Sequence, residues 1–129
     1  MSLVEALAAT AFLAVGLLGF AAKTVSLTRE QKAADSTSAA HALAQQKIEQ
    51  LRSLPLGAAG TNPGLYNDGQ NPLRADGTNG GSFTRSWVVS ANNTPTFGLR
   101  TVTVTVSWRD FRTHATRIAA FIRCANIPC

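Results

Sequence analysis

The stretch that decides the fold is the apolar N-terminus, residues 1–22, which reads MSLVEALAATAFLAVGLLGFAA. From Ala6 to Ala22 it holds 17 residues without a charge, and with the residues before them it reaches the roughly 20 that a helix needs to cross a bilayer. Its one acid is Glu5. An ionised carboxylate inside hydrocarbon costs at least ~2.5 kcal/mol, so such an acid indicates a function and a cationic partner. The nearest cation in the sequence is the α-amino group of Met1, of the same molecule or of a neighbour.

The helical pattern continues well beyond the apolar stretch. We expect one helix over residues 2–53, because no proline precedes Pro55. In its second half the apolar residues recur with the i, i+3, i+4 spacing of a face that packs on other elements. These residues are Ala40, Leu43, Ala44, Ile48 and Leu51, and we expect Gln45, Gln46, Lys47, Glu49 and Gln50 on the other faces.

Two glycines interrupt the first half of the helix. Gly16 and Gly19 lie three residues apart, where small residues let two helices approach closely. Glycine also weakens a helix by about 1 kcal/mol relative to alanine. We therefore expect this segment to pack closely on another helix, and we expect any local unwinding of the stem to occur here.

The rest of the chain divides into a loop and a sheet. Residues 55–82 hold seven glycines and three prolines, a composition typical of turns, and we expect a long surface loop there. Three strands are predicted after it, over residues 83–89, 99–108 and 114–124. In the second, alternation predicts that the threonines 101, 103 and 105 face away from the helix, and that the opposite residues pack on it, namely Val102, Val104, Val106 and Trp108.

These patterns predict an α+β fold, with a long N-terminal helix packed on a C-terminal antiparallel sheet. We divide the chain into a hydrophobic stem (residues 1–24), an amphipathic helical half (25–54), a Gly/Pro/Asn-rich surface loop (55–82) and a sheet that ends in a disulfide loop (83–129). By its length and composition, the stem is predicted to span a membrane.

The positive charge is concentrated in the C-terminal third. Residues 1–81 hold six basic and six acidic side chains, whereas residues 82–129 hold six arginines and one acid, Asp110. Such a surface can attract DNA, anionic lipid or another acidic partner; a solvated strand face with salt bridges between subunits is the alternative. The candidate patch comprises Arg100, Arg109, Arg112, Arg117 and Arg123.

Catalytic motifs are not found in this sequence. It has no Gly-rich phosphate loop, no nucleophile elbow and no His-x-x-x-His pair, and its two histidines, His41 and His114, are far apart. We therefore predict that the protein is not an enzyme, has no catalytic residues and binds no metal or cofactor.

The N-terminal residues resemble a known family. Met1-Ser-Leu-Val-Glu-Ala-Leu, followed by a helix rich in small residues, is similar to the mature N-terminus of type IV pilins and pseudopilins, the class III signal family. The segments ALAQQKIEQLRSLP (42–55) and RTVTVTVSWRD (100–110) resemble the minor-pilin and type II secretion pseudopilin branch. The resemblance covers most of the chain outside the middle loop.

The resemblance implies how the protein is processed and assembled. In this family a prepilin peptidase removes a short basic leader and the new N-terminus is methylated. The glutamate at mature position five neutralises the N-terminal amine of an adjacent subunit, and Glu5 stands at that position. The family usually begins with Phe, where this chain has Met1; because the count to Glu5 fits, we expect Met1 to be the processed, methylated residue.

Three functions remain open at this point. The resemblance favours a structural subunit of a type IV pilus-like filament. Such a subunit is held in the inner membrane by its stem until the pilus assembly machinery extracts it into an extracellular homopolymer, whose core the stems then form. Filaments of this kind have roles such as adhesion, motility or secretion. A minor pilin or secretion pseudopilin, which primes or caps a filament made of another subunit, is the first alternative. The second is a membrane-tethered module that binds DNA or a surface through the arginine patch.

Two cysteines, Cys124 and Cys129, end the chain five residues apart. In an exported protein this spacing favours a small disulfide loop, whereas a metal pair would need more ligands and reduced thiols are typical of the cytosol. We predict that the two are bonded to each other, with a contribution to stability of about 2 kcal/mol because the loop is short. Intact-mass measurement without reductant should find the chain two hydrogens lighter than its sequence mass; two alkylatable thiols in freshly isolated protein would refute the bond.

Overall fold

A computed structural model describes residues 2–124 of the chain. One long helix, α1, spans Leu3–Ser53 and is followed by four strands. The strands are β1 (Gly64–Asn67), β2 (Phe83–Val89), β3 (Leu99–Arg109) and β4 (Thr113–Arg123). The protein is therefore α+β, as the sequence predicts. Its contacts divide it into two compact units, residues 1–35 and 36–129, and we call the second unit the head.

Helix α1 begins with a capping box. Ser2 precedes the helix, and its Oγ accepts a hydrogen bond of 3.3 Å from the backbone N–H of Glu5. In return the Ser2 N–H donates to Glu5 Oε2 at 3.1 Å. The first contact adds to the bond that the Glu5 N–H makes with the Ser2 carbonyl, and the second satisfies the Ser2 N–H. This is how Ser and Glu three residues apart start a helix.

In the described residues of the first unit, the stem exposes its apolar side chains. Phe12 is 80% exposed and Leu3 is also 80% exposed, and the other large apolar residues of this stretch are similarly uncovered. A window of the helix has a mean hydropathy of 2.1 and is long and apolar enough to cross a membrane. The Thr10 hydroxyl donates to the backbone carbonyls of Ala6 and Leu7, which reduces its cost in an apolar environment.

The sheet is an antiparallel meander in the order β1-β2-β3-β4. β2 spans the predicted residues, and β3 and β4 match the other two predicted strands to within one residue at each end. All three predicted strands are present, but the sheet has a fourth that was not predicted, because β1 lies inside the predicted loop and pairs Leu65 with Val88. A strand of only four residues, Gly64–Asn67, is too short to show an alternating pattern, and it pairs with the edge that β2 offers.

The core of the head lies between α1 and one face of the sheet. The five predicted helix residues and the four predicted β3 residues are all buried in one apolar cluster, which confirms both the helix face and the strand register. Leu51 is 1% exposed and Val104 is completely buried. Leu73, from the loop between β1 and β2, joins the same cluster, so residues 55–82 are partly core and not a surface loop throughout.

We predict that truncating the helix face destabilises the head far more than altering the opposite sheet face. Leu51→Ala should cost ~2 to 5 kcal/mol, because it leaves a cavity in the core. Thr103→Ala, on the other face of β3, should cost under about 0.5 kcal/mol. Thermal unfolding in detergent can be followed by tryptophan fluorescence, since Trp87 and Trp108 both lie in the core. A larger loss for Thr103→Ala would contradict this packing.

Candidate functional sites

The first candidate site is Glu5 at the start of α1. Its carboxylate accepts the Ser2 N–H, and it makes no ion pair with any side chain of residues 2–124. The proposed partner, the α-amino group of Met1, lies outside the described residues. The capping role was not anticipated from the sequence, although the Ser-x-x-Glu spacing of residues 2–5 indicates it.

The glycine pair lies within an unbroken part of α1. The helix continues through Gly16 and Gly19, and a Cβ added at either position would meet no atom within 4 Å. Within the unit that contains them, neither glycine is required by internal packing. The structure therefore leaves this strip of the stem open to close approach by another helix.

The second candidate site is a buried ionic cluster in the head, formed by Lys47 of α1, Asp68 after β1 and Arg85 of β2. Arg85 Nη2 lies 2.7 Å from Asp68 Oδ2, and Arg85 Nε donates to the same oxygen at 2.9 Å. Lys47 Nζ lies 3.5 Å from that oxygen. The side chains of Asp68 and Arg85 are 8% and 6% exposed. Two cations thus share one carboxylate in a largely desolvated position.

Further contacts tie the ionic cluster to the surrounding elements. The Arg85 guanidinium also donates to the backbone carbonyl of Leu43 at 2.9 Å and to Gln46 Oε1 at 3.1 Å. Lys47 Nζ lies 4.1 Å from the centroid of the Trp87 ring, within the range of a cation–π contact. The cluster therefore joins α1, the β1–β2 loop and β2 by polar contacts within the core.

The pKa values of the ionic cluster follow from burial and charge. Burial alone would raise the pKa of Asp68, but the N–H of Gln70, the Arg85 hydrogen bond and the charges of Arg85 and Lys47 outweigh it and hold this pKa below its ordinary value. Burial lowers the pKa of Lys47, and the negative charge of Asp68 offsets this only in part. Asp68 is thus the anion on which both cations depend.

The sequence interpretation missed most of this cluster. Lys47 was expected on a polar face of α1, yet it is 9% exposed; its stem can lie along apolar surface while its amine reaches Asp68. Arg85 lies on the same face of β2 as Phe83, Trp87 and Val89. An arginine in such an otherwise apolar series indicates a buried, paired side chain. Asp68 gives no such signal, because it lies in a polar loop.

The predicted arginine patch is corrected at one position. Arg100 is 7% exposed and lies on the core face of β3. Its Nη1 donates to the carbonyl of Thr61 at 2.7 Å and its Nε to Asn92 Oδ1 at 2.9 Å. Because even-numbered residues of β3 face the core, Arg100 cannot share a surface with its odd-numbered neighbours.

The other four members of the patch remain exposed, at Arg109, Arg112, Arg117 and Arg123. Within residues 2–124 their side chains form no ion pair and no hydrogen bond. Three of them occupy odd-numbered positions of β3 and β4 and lie on the face opposite α1, which we call the outer face, and Arg112 lies in the hairpin between these strands.

The two histidines lie in different settings. His41 is exposed on α1, whereas His114 stacks on Trp108, with ring centroids 5.4 Å apart, and its Nε2 lies 3.0 Å from Asp110 Oδ1. Among residues 2–124 no three His, Cys, Asp or Glu side chains come together as a metal site would need. The expected absence of catalysis, metal and cofactor stays a prediction. The pairing of Cys124 with Cys129 lies outside the described residues, because these end at Cys124.

We predict that Asp68→Asn destabilises the head by ~3 to 5 kcal/mol at neutral pH, because it leaves Arg85 and Lys47 buried without a counter-charge. Folding lowers the pKa of Asp68 below its ordinary value of 3.8, so its contribution is present above that value and is lost as the pH falls through the folded pKa. The gap in melting temperature between wild type and variant should therefore shrink in acid. Glu49→Gln, which removes an exposed acid that pairs with Arg52 at the surface of α1, serves as the control and should melt close to wild type. A pH-independent gap for Asp68→Asn would contradict the ionic explanation.

Comparison with known proteins adds no relative to this geometry. No family model, no curated protein and no solved structure matches the chain. The likeness to type IV pilins and pseudopilins therefore rests on the residues quoted above, and the comparisons place the chain in no family.

Proposed function

We propose that this protein is a structural subunit of a type IV pilus-like extracellular filament, anchored in the inner membrane before assembly. The observation that carries the proposal is the exposed apolar stem with its single acid at position five. The N-terminal resemblance to pilins supports the same interpretation.

The exposed stem requires another surface to cover it. Leu7, Leu13, Leu17 and Phe20 are each more than 60% exposed, and burying one such side chain is worth about 1.5 to 3 kcal/mol. A lipid bilayer covers them before assembly, and the stems of neighbouring subunits cover them afterwards. Gly16 and Gly19 add a strip without side chains on which a second stem can lie closely.

Glu5 acts as the register device of assembly. Its capping contact with Ser2 is made to a neutral N–H, so the charge of the carboxylate remains uncompensated among residues 2–124. In a bundle of stems the carboxylate requires a cation, because an unpaired buried charge costs ~3 to 5 kcal/mol. The amine of Met1 of the next subunit supplies that cation at one axial offset. A head-to-tail contact of this kind, repeated with a fixed rotation, produces an open fibre.

The head offers additional surface for contacts between subunits. Ile118 and Ala120 of β4 are only half-buried, and they line an open groove whose other wall is formed by Ile48 and Arg52 of α1. Partly covered apolar side chains beside an edge strand suit contact with a neighbouring head.

The two alternatives differ from this proposal in a measurable way. A minor pilin or secretion pseudopilin would be found as a small fraction of fibres built from another subunit, and a membrane-tethered binding module would form no fibres. Electron microscopy of sheared surface fibres, with mass spectrometry of their subunits, separates all three. Fibres made mainly of this chain are the expected result.

We predict that Glu5→Gln and Glu5→Val both abolish efficient polymerisation and leave a stable membrane protein. Glutamine keeps the capping contact to Ser2 but removes the charge, whereas valine removes both. Loss of fibres in both variants therefore assigns the defect to the charge. Glu30→Gln, which removes an exposed acid elsewhere on α1, is the matched control and should polymerise normally.

Fibre yield is measured by shearing and electron microscopy, and mass spectrometry of the mature protein should find Met1 methylated. Normal fibres from Glu5→Gln with none from Glu5→Val would reduce Glu5 to a helix cap. Normal fibres from both would overturn its role in assembly.

A further inference from the structure

Within residues 2–124, the outer face of the sheet carries positive charge, and its strands place no acid there. Arg109, Arg117 and Arg123 lie on this face. The nearest acid, Asp110, lies in the hairpin, where its Oδ1 accepts the N–H of Arg112 and contacts His114 Nε2. The charge of the four arginines is therefore open to solvent and to a partner.

The arginines form a row along one edge of the sheet. Arg109 pairs with Thr113 across the β3–β4 ladder, so the two mark the same level of the sheet. With a rise of about 3.4 Å per residue, Arg117 lies about 14 Å beyond that level and Arg123 about 20 Å beyond Arg117. The row is thus about 34 Å long, extended further by Arg112 in the hairpin, and only two strands wide.

The surface of β2 and β3 beside this row is mainly polar. The outer-facing side chains of β2 and β3 are mainly hydroxylated and short, at Thr84, Ser86, Thr101, Thr103, Thr105 and Ser107. The loop before β3 touches this face at Thr101, whose Oγ1 donates to the carbonyl of Thr94, whereas no element lies between β3 and β4 other than their hairpin. A sheet face of this kind can contact a backbone, whereas reading bases requires a helix or a ribbon inside a groove.

We infer that the outer face binds the phosphate backbone of double-stranded DNA without sequence preference. A duplex carries one negative charge per about 1.7 Å of its axis, so every arginine in a row of this length meets a phosphate. All four cations are arginine, whose planar guanidinium pairs with phosphate through two parallel hydrogen bonds. The threonine hydroxyls supply further donors beside the row.

A narrow row fits a linear polyanion better than it fits a membrane. An anionic bilayer presents charge in two dimensions and distinguishes little between lysine and arginine, whereas all four exposed cations of residues 82–124 are arginines. Single-stranded nucleic acid is less suited, because it binds on platforms of several adjacent aromatic rings. β3 and β4 present only Phe121 on this face, and the exposed ring of Phe111 lies in the hairpin, at the other end of β4. The inference does not depend on polymerisation, and it goes beyond the proposed structural role.

The test measures binding of the full-length protein, in nonionic detergent micelles, to a fluorescent mixed-sequence DNA duplex. Four phosphate contacts predict a slope of about −3.6 in log K against log salt. Arg117→Gln and Arg123→Gln should each weaken binding about three- to tenfold and reduce that slope by about 0.9. Both side chains are exposed, so the variants should keep the wild-type melting temperature.

The matched control is Arg52→Gln, which removes one exposed arginine from α1, on the opposite side of the sheet. The affinity of this variant should stay within about twofold of wild type and its salt slope within about 0.3, because Arg52 contributes no phosphate contact. Equal losses in Arg52→Gln and Arg117→Gln would show binding through net charge alone and would overturn the assignment of the outer face.

Two further probes decide the kind of partner. Polyglutamate, a polyanion without phosphate, should compete for the site at least tenfold less well than unlabelled duplex. Doping the micelles with anionic phospholipid should not displace the duplex. Equal competition by polyglutamate, displacement by the lipid, or failure of the duplex to bind at low salt would each overturn the inference.

Discussion

The architecture of the head depends on the ion pairs that the carboxylate of Asp68 makes with Lys47 and Arg85. The carboxylate draws Lys47 of α1 and Arg85 of β2 to one oxygen, although 21 and 17 residues of sequence separate them from it. Apolar packing is not directional, so the core alone would tolerate small shifts of α1 over the sheet. A shared, desolvated anion does not tolerate such shifts, because they would leave each cation unpaired. The Arg85 contact with the carbonyl of Leu43 gives the same constraint a second point of attachment.

The stem presents the opposite situation, because its single acid, Glu5, has a local partner but no counter-charge among residues 2–124. Ser2 and Glu5 satisfy each other as a helix cap, which makes the start of α1 independent of any neighbour. The apolar side chains beyond them have no partner within their unit. Stability of the fold and the need for an external partner are thus separated along the chain. The head is stabilised by its own core, whereas the described part of the stem exposes its apolar side chains and has no such core.

The position of each arginine in its strand decides whether it stabilises the core of the head or adds charge to the surface. Arg85 and Arg100 lie on the core face, and backbone carbonyls or a carboxylate satisfy them. Arg117 and Arg123 lie on the outer face without a counter-charge in the described chain. A substitution in the first pair removes internal hydrogen bonds, whereas a substitution in the second changes only what the surface attracts. The position of each arginine in the alternation of its own strand decides which of the two it does.

The sequence by itself determined the elements of the structure and the faces they bury. Periodicity is a local property, so the helix, the strands β2, β3 and β4 and the packing of Leu51 against the valines of β3 could be predicted. Tertiary structure alone decided β1, the burial of Lys47 and the role of Asp68. Each of these depends on a partner that lies far away in sequence, and a loop carboxylate or a polar helix position carries no local sign of that partner. The same reason explains why Arg100 was assigned to the surface, since its acceptor is the carbonyl of Thr61, a backbone atom that every residue type shares.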